Sequence, residues 1–520
     1  MSDSRRDSAN VIFHSSIVNC IFPFFIFISM PINLLTSPHW KAGHLGLPMP
    51  DSPHAVSVSL PLWEHNVKYE EGDADVIGRL QAAYPRFCLH PYVRRLCLET
   101  FGAENAGLIF PSTAAAQRAA DYVAWRGGKT ARLVPLAKQS ACGVAVDSDD
   151  FSKLREYWQH AGEVLTSRAA ELILNGQVVE SSETAARQAV RQRLREFRIN
   201  RDAEIWLYPC GMAAIAAVWR ALRQHDATNP SVQFGFPYVD TLKIQQRFAP
   251  ADVRFYPVGN GQDLEALKQL LSHQEIAAVL CESTTNPLLT SLDLVTLRQL
   301  ADQHEFVLVI DDTLAACINH DVLPYADVVV TSLTKYFSGY GDVLAGCVTL
   351  NPASPHAAWL RNGLAANFEE LLVDVDIEVL ELNSRDVQTR VETINHNANQ
   401  LAKWLSAQPQ VEHVYHPSLD DQRFDWMNQL SADHNGGLLS IVLKNAATAT
   451  PKMFDKLQIC KGPNLGTNFT LCCPYTILAH YTELDFVEQC GVSRWLLRVS
   501  VGTEPIDELR ERFASALAAI

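Results

Sequence analysis

Between residues 202 and 350, short runs of β-branched and apolar residues alternate with stretches of helical periodicity: "EIWLYPCGMAAIAAVWRALRQH", "SVQFGFPYVDTLKIQQRF", "AAVLCESTTNPLL", "LDLVTLRQLADQHEF", "FVLVIDDT" and "DVVVTSLTKY". Runs this short and apolar on both alternating faces are strands covered on two sides, and helices between them act as crossovers. The pattern predicts an α/β fold: a mainly parallel central sheet with helices on both faces. In open sheets of this kind ligands gather beyond the carboxyl ends of the strands. The polar residues of these runs fall there.

The flanking sequence divides around that block. Residues 1–58 form a hydrophobic extension followed by a segment rich in Pro, Gly, Ser and His from Pro38 to about Ser57, which reads as an extended arm. Residues 59–200 form an N-terminal segment whose 117–200 part is charged and helical in pattern; "SSETAARQAVRQRLREF" offers a Ser/Thr cap and apolar residues at helical spacing. It is expected to be an inserted helical layer without chemistry of its own. Residues 201–370 are the sheet domain, and residues 371–520 a smaller α+β domain with a long leading helix and strands at "VEHVYHP", "GGLLSIVL" and "WLLRVSVG".

The chain of 520 residues is 48% hydrophobic and 19% charged, which excludes disorder as the whole answer. Its net charge of −15, with no long run of Lys or Arg, leaves no basic footprint for a nucleic acid. The 12 cysteines are scattered without a CxxC pair or zinc-like spacing, so reduced buried thiols in a cytoplasmic protein are expected, and no metal site. Near the start, "SIVNCIFPFFIFISMPINLL" follows two arginines, as in a signal peptide. It is broken by Asn19, Pro23 and Pro31 and lacks a clear cleavage site, so initiation at Met30 is expected rather than a signal or membrane anchor.

Lys335 stands where "DVVVTSLTKY" gives way to the glycine-rich turn "FSGYGD". Burying an ammonium at a strand end is expensive and needs a reason. Asp311 ends the strand "VLVI", with Asp312 beside it leaving the register open by one, and Gly211 and Met212 lie between a strand and a helix. An amine for a covalent link to a carbonyl, a carboxylate for a ring nitrogen and a helix N-terminus for a phosphate are what pyridoxal 5′-phosphate requires.

These sites stand within longer motifs: "YPRFCLHP" (84–91), "CGMAAI" (210–215), "ESTTNPLL" (282–289), "IDDT" (310–313), "SLTKYFSGYGDVLAG" (332–346), "RVETINHNA" (390–398) and "NLGTNFTLCCPYTILAH…LLRVSVGTE" (464–504). Over about residues 60–504 the chain resembles the Cys/Met-metabolism group of fold-type I pyridoxal-phosphate enzymes, and within it the fungal-type cystathionine γ-synthases. The resemblance implies that Lys335 anchors the cofactor and then carries protons, and that Asp311 faces the pyridine nitrogen. It implies that Tyr238 stacks on the ring beside the reacting atoms, and that Gly211, Met212, Ser332 and Thr334 hold the phosphate. Cys210 stands where relatives carry Ser or Thr, a better donor. Tyr84 and Arg86 match a pair that reaches the phosphate of a neighbouring subunit, implying a homodimer or homotetramer with shared sites. Asn286 matches the asparagine near the cofactor's 3′ oxygen, and Arg498 the clamp for a substrate α-carboxylate.

The implied reaction is γ-replacement on an O-acylated L-homoserine, acetyl being the expected acyl group, with L-cysteine as nucleophile and L-cystathionine as product. Two departures are visible. Asn464 replaces the serine of Ser-Leu-Gly, and Gly339-Tyr340-Gly341-Asp342 replaces Gly-His-Ser-Asp. The first motivates an alternative in which sulfide or a carbon nucleophile such as a β-keto acid takes the place of cysteine. The intact Lys335, Asp311 and Arg498 argue against a cofactor-free regulatory paralogue.

Overall fold

The computed structural model describes residues 32–83, 87–129, 131–249, 251–420, 424–428 and 433–520. Expectations about the N-terminal extension, including initiation at Met30, and those for Tyr84 and Arg86 lie outside the described residues. Among the described residues, no helix is long and apolar enough to cross a membrane.

Asn33–Ile520 form one unit containing three sheets. The first is small and antiparallel, with β1 (Gly107–Phe110), β2 (Arg132–Pro135) and β3 (Cys142–Ala145) in the order β1-β3-β2. Two of its strands, β2 and β3, lie within the 117–200 segment read from its pattern as a mostly helical layer. Its strands are four residues long, and exposed Arg132 and two glycines flank or interrupt them, so neither β alternation nor a long apolar run marks them.

The central sheet comprises β4 (Glu204–Tyr208), β5 (Ser231–Phe234), β6 (Val253–Tyr256), β7 (Ala278–Glu282), β8 (Val307–Asp311), β9 (Val328–Thr331) and β10 (Gly346–Leu350). Their order is β4-β10-β9-β8-β7-β5-β6. All neighbouring pairs are parallel except those of β10, which runs antiparallel to both β4 and β9. Alternation along β8 shows how both faces are covered. Val307 and Val309 pack with the helices Gly211–His225 and Ala357–Ala366, while Leu308 and Ile310 pack with Gly261–Leu271 and Leu294–His304. Each such fully buried side chain contributes about 1.5–3 kcal/mol, so a one-residue slip of β8 would be prohibitive. That register fixes which of Asp311 and Asp312 faces which way.

The C-terminal sheet, β11 (Val411–Tyr415), β12 (Leu438–Leu443), β13 (Cys460–Lys461), β14 (Leu471–Pro474) and β15 (Leu497–Ser500), has the order β11-β12-β15-β14-β13. The segment read as an extended arm folds back onto this part of its own chain. Met49 is fully buried with Cys460, Phe469 and Leu471, Leu60 N–H donates to the Lys461 carbonyl at 2.9 Å, and Lys461 Nζ donates to Pro61 O at 3.0 Å. Its apolar residues are too sparse for a periodic signal, but Leu45, Met49, Ala55 and Val56 are buried.

Candidate active site

A cleft of about 1130 Å³, open mouth included, runs between the carboxyl ends of the central strands and the C-terminal sheet. It gathers most of the residues expected from the sequence: Gly211, Met212, Tyr238, Asn286, Asp311, Ser332, Thr334, Lys335 and Arg498 all line it. Phe87, next to the undescribed Tyr84–Arg86 segment, lines it too.

Lys335 follows β9 by four residues and is buried, 7% exposed. Its Nζ donates to Asn464 Oδ1 at 2.6 Å. The bond is short because the chains carrying the two residues touch. Gly466 adopts φ +76°, and a Cβ there would lie 2.6 Å from Tyr336 N and 2.8 Å from Lys335 C. Gly466 N–H in turn donates to Ser500 Oγ at 2.8 Å. Asn464 Nδ2 is buried without a hydrogen-bond partner among the described residues, a polar atom waiting for an acceptor. On the far side, Arg390 donates to the carbonyls of Phe337 and Ser338, bracing the turn after the lysine. Tyr340 sits over that guanidinium at 5.3 Å and donates to Asp386 at 3.0 Å. It does not line the cleft, so the Gly-Tyr-Gly-Asp departure bears on the turn's support.

The adjacent aspartates have opposite fates. Asp312 is fully buried away from the cleft, 2.9 Å from Arg198 Nη1 and accepting from the Thr331 hydroxyl. Asp311 faces the cleft and accepts the Thr313 N–H at 2.9 Å. Burial outweighs that bond and pushes its carboxyl up to about 6. Glu282 ends β7 directly beside Asp311 in the sheet register and accepts the Tyr238 N–H at 2.5 Å. Burial first, then the charge of Asp311, holds the Glu282 carboxyl well above the usual range. Of the two buried carboxyls, Glu282 carries the additional upward push of its neighbour's charge.

The phosphate end is built at the start of the helix Gly211–His225. Its N-cap, Cys210, makes no side-chain cap; the thiol donates to Gly162 O at 3.2 Å. By helix geometry the first-turn amides have no intrahelical acceptor. Gly211 is needed because a Cβ would stand 2.7 Å from Ser332 Cβ. Gly162 closes the helix Phe151–Ala161, and its own Cβ would meet Ala213 N at 2.6 Å. The 117–200 segment thus buttresses this turn. Ser332 N–H donates to Thr313 Oγ1 at 2.8 Å. Thr334 Oγ1 both donates to and accepts from the backbone of Ala345, at 3.2 and 3.0 Å, which leaves one lone pair.

At the other end Arg498, on β15, is 5% exposed. It donates to Asn286 Oδ1 at 3.2 Å and Pro463 O at 3.0 Å, with its guanidinium 4.8 Å from the Tyr475 ring. One asparagine therefore touches the arginine and another the lysine. A ring bearing a basic nitrogen and a phosphate fits this cleft: Asp311 offers the nitrogen an ionisable carboxylate, the glycine turn offers amides, and the orphaned Asn464 Nδ2 offers a donor. Sequence reasoning missed Glu282, Thr313 and Glu70, which also line the cleft. Glu282 could have been found, since it opens "ESTTNPLL" at the end of the strand next to that of Asp311.

The Cys/Met metabolism PLP-dependent enzyme family matches residues 156–518. A cystathionine γ-synthase of Neurospora crassa is 32% identical over 91% of this chain and 98% of its own length. An L-2-amino-4-chloropent-4-enoate dechlorinase/desaturase of Streptantibioticus cattleyicolor is 33% identical over 90% of this chain and 97% of its own. Among solved structures, cystathionine γ-synthase from Xanthomonas oryzae in complex with cystathionine superposes with a TM-score of 0.56 at 20% identity, covering 65% of this chain and 86% of that one. That last likeness establishes the shared fold, that of fold-type I enzymes. With a family match over most of the chain and a cleft that fits the cofactor, the chain belongs to the Cys/Met metabolism PLP-dependent enzyme family.

Proposed function

We propose that this enzyme catalyses γ-replacement on an O-acylated L-homoserine, O-acetyl in the first instance, with L-cysteine as nucleophile and L-cystathionine as product. The observation that carries the reading is the placement of Lys335 Nζ. It is held by Asn464 in a cleft that also presents Asp311 and Arg498. Pyridoxal phosphate, once bound, supplies the electron sink that lets a proton leave Cα and then Cβ of the amino acid.

Everything else falls to the chain. Arg498 takes the α-carboxylate in a planar fork, with Asn286 fixing one arm of its guanidinium. Lys335 would anchor the cofactor at rest; its freed Nζ would take the Cα proton, hand it on to the C4′ carbon of the bound cofactor and, neutral again, take the Cβ proton as the acyloxy group departs as a carboxylate, then return protons to Cβ and Cα after the thiolate has bonded to Cγ. Asn464 aims that amine. Asp311 holds the ring nitrogen protonated, and Tyr238 stacks on the ring. Gly211, Met212, Ser332 and Thr334 take the phosphate, with Tyr84 and Arg86 of a neighbouring copy completing its shell. The assembly is a homodimer or homotetramer in the cytoplasm.

A second reading replaces cysteine by sulfide or by a β-keto acid carbon. The observations favouring it are Asn464 beside the reacting lysine and the different chemistry named for the Streptantibioticus relative. Purified enzyme given O-acetylhomoserine with cysteine, sulfide or acetoacetate in turn separates the two by product mass. Cystathionine is expected; homocysteine or a carbon adduct in its place would replace the first reading with the second.

A further inference from the structure

The catalytic cleft meets a second cavity of about 2290 Å³, open mouth included, and Tyr69, Glu70, Phe87, Leu478 and Ala479 line both. This shared throat is aromatic and aliphatic apart from Glu70. Glu70 closes the helix Trp63–Glu70, which is tied firmly to the rest of the chain. Trp63 N–H donates to Asp455 at 2.7 Å, its ring stacks on Trp495 at 5.7 Å, and Asn66 donates to the carbonyls of Leu60 and Leu62. The carboxyl at the helix end is therefore positioned.

Charged neighbours of Glu70 along the chain have partners: Glu64 meets Lys68 at 2.5 Å, and Glu71, just past the helix, accepts from the Tyr481 hydroxyl at 2.7 Å. Glu70 Oε1 is shielded from solvent and has no hydrogen-bond partner among the described residues. Burial alone pushes this carboxyl up to about 8. A carboxylate kept in such a place is stabilised only when a cation is brought to it. The described cations that line the two cavities have other acceptors: Lys335 meets Asn464 and Arg498 meets Asn286, while Arg94 meets Glu104, Arg95 meets Glu99 and Arg155 meets the Phe87 carbonyl. A ligand that carries its own cation would meet the Glu70 carboxylate.

We propose that Glu70 is a specificity-determining residue that binds the ammonium group of the incoming nucleophile, so that the second substrate is an amino thiol. This rests on the γ-replacement reading above. Sulfide brings no ammonium to the throat, and a β-keto acid brings only negative charge.

The test holds O-acetylhomoserine fixed and varies the acceptor between cysteine and 3-mercaptopropionate, a thiol of the same length lacking the ammonium. Wild type is expected to favour cysteine in kcat/KM by at least about tenfold, the scale of one hydrogen bond to a charged group. Glu70→Gln should raise the KM for cysteine by a similar factor, leave 3-mercaptopropionate within about twofold, and keep its cofactor absorbance; Glu70→Asp should retain part of the preference. Equal losses with both acceptors, or none, overturn the proposal. If Glu70→Gln fails to fold, wild type still decides, because equal use of the two thiols overturns it without any variant. Wild type forming no thioether from cysteine would refute the underlying reading of the acceptor. Cystathionine formation with a Glu70→Gln enzyme that keeps the full wild-type preference for cysteine refutes the role of Glu70 alone.

Discussion

Replacing Asp311 and Asp312 separately by asparagine should give opposite results in two assays. Asp311 carries a carboxyl pushed up to about 6 by burial, against about 3.9 for an ordinary aspartate. That gap corresponds to about 3 kcal/mol against the folded state once the group is ionised in both states. The side chain faces a solvated cleft, which reduces the figure to about 2 kcal/mol. Because the folded pKa is raised, the cofactor-free wild type loses this stability as pH rises from about 4 to about 6, and the loss is complete at pH 7. Asp311→Asn has no such loss. Its cofactor-free form should be more stable than wild type by about 2 kcal/mol at pH 7 and equal to it near pH 4. Asp312→Asn removes one partner of a fully buried Arg198, whose Nη1 keeps Asp321 at 3.4 Å. Breaking a buried pair costs about 3–5 kcal/mol, and the remaining carboxylate sets the low end, about 3 kcal/mol. Denaturant unfolding of the cofactor-free proteins across this pH range reads both changes. Titration with pyridoxal phosphate, followed by visible absorbance, should show affinity falling at least about tenfold for Asp311→Asn and little for Asp312→Asn. A destabilised Asp311→Asn with intact cofactor affinity would refute the assignment of the two carboxylates.

Two other substitutions probe the walls of the cleft. Arg498→Lys keeps the charge but loses the planar fork and the contact with Asn286, so the KM for O-acetylhomoserine should rise about 10- to 100-fold in steady-state assays; an unchanged KM would remove Arg498 from the site. Gly466→Ala forces a Cβ to within 2.6 Å of Tyr336 N at φ +76°, shifting the loop between β13 and β14 that aims Asn464 at Lys335. A misplacement near 1 Å predicts a kcat about 10²-fold lower with the fold retained by circular dichroism.

The centre of the sheet was legible because β7, β8 and β9 are apolar runs rich in Val, Ile and Leu, whose covering on both faces leaves no polar residue until the carboxyl end. Lys335, Asp311 and Gly211 stand out for the same reason: each interrupts such a run. The register between Asp311 and Asp312 was not legible, since it depends on Arg198, which approaches from a segment more than a hundred positions away. The same holds for Gly162, which receives the Cys210 thiol only after the chain has folded. The four-residue strands of the N-terminal sheet carry too little pattern to separate from helical neighbours. Glu70 sits in an ordinary-looking "KYEEGD", where nothing local tells a buried carboxylate from a solvated one.

The proton-carrying role of Lys335 can be read from the product. If its amine removes and returns protons at Cα and Cβ, cystathionine made from O-acetylhomoserine and cysteine in D2O must carry solvent deuterium at both positions of its homoserine-derived half. Mass spectrometry and proton NMR of the isolated product measure this directly. Deuterium at Cα and Cβ, with Lys335→Ala forming no product, is the predicted result; unlabelled cystathionine, as direct displacement at Cγ would give, would contradict it.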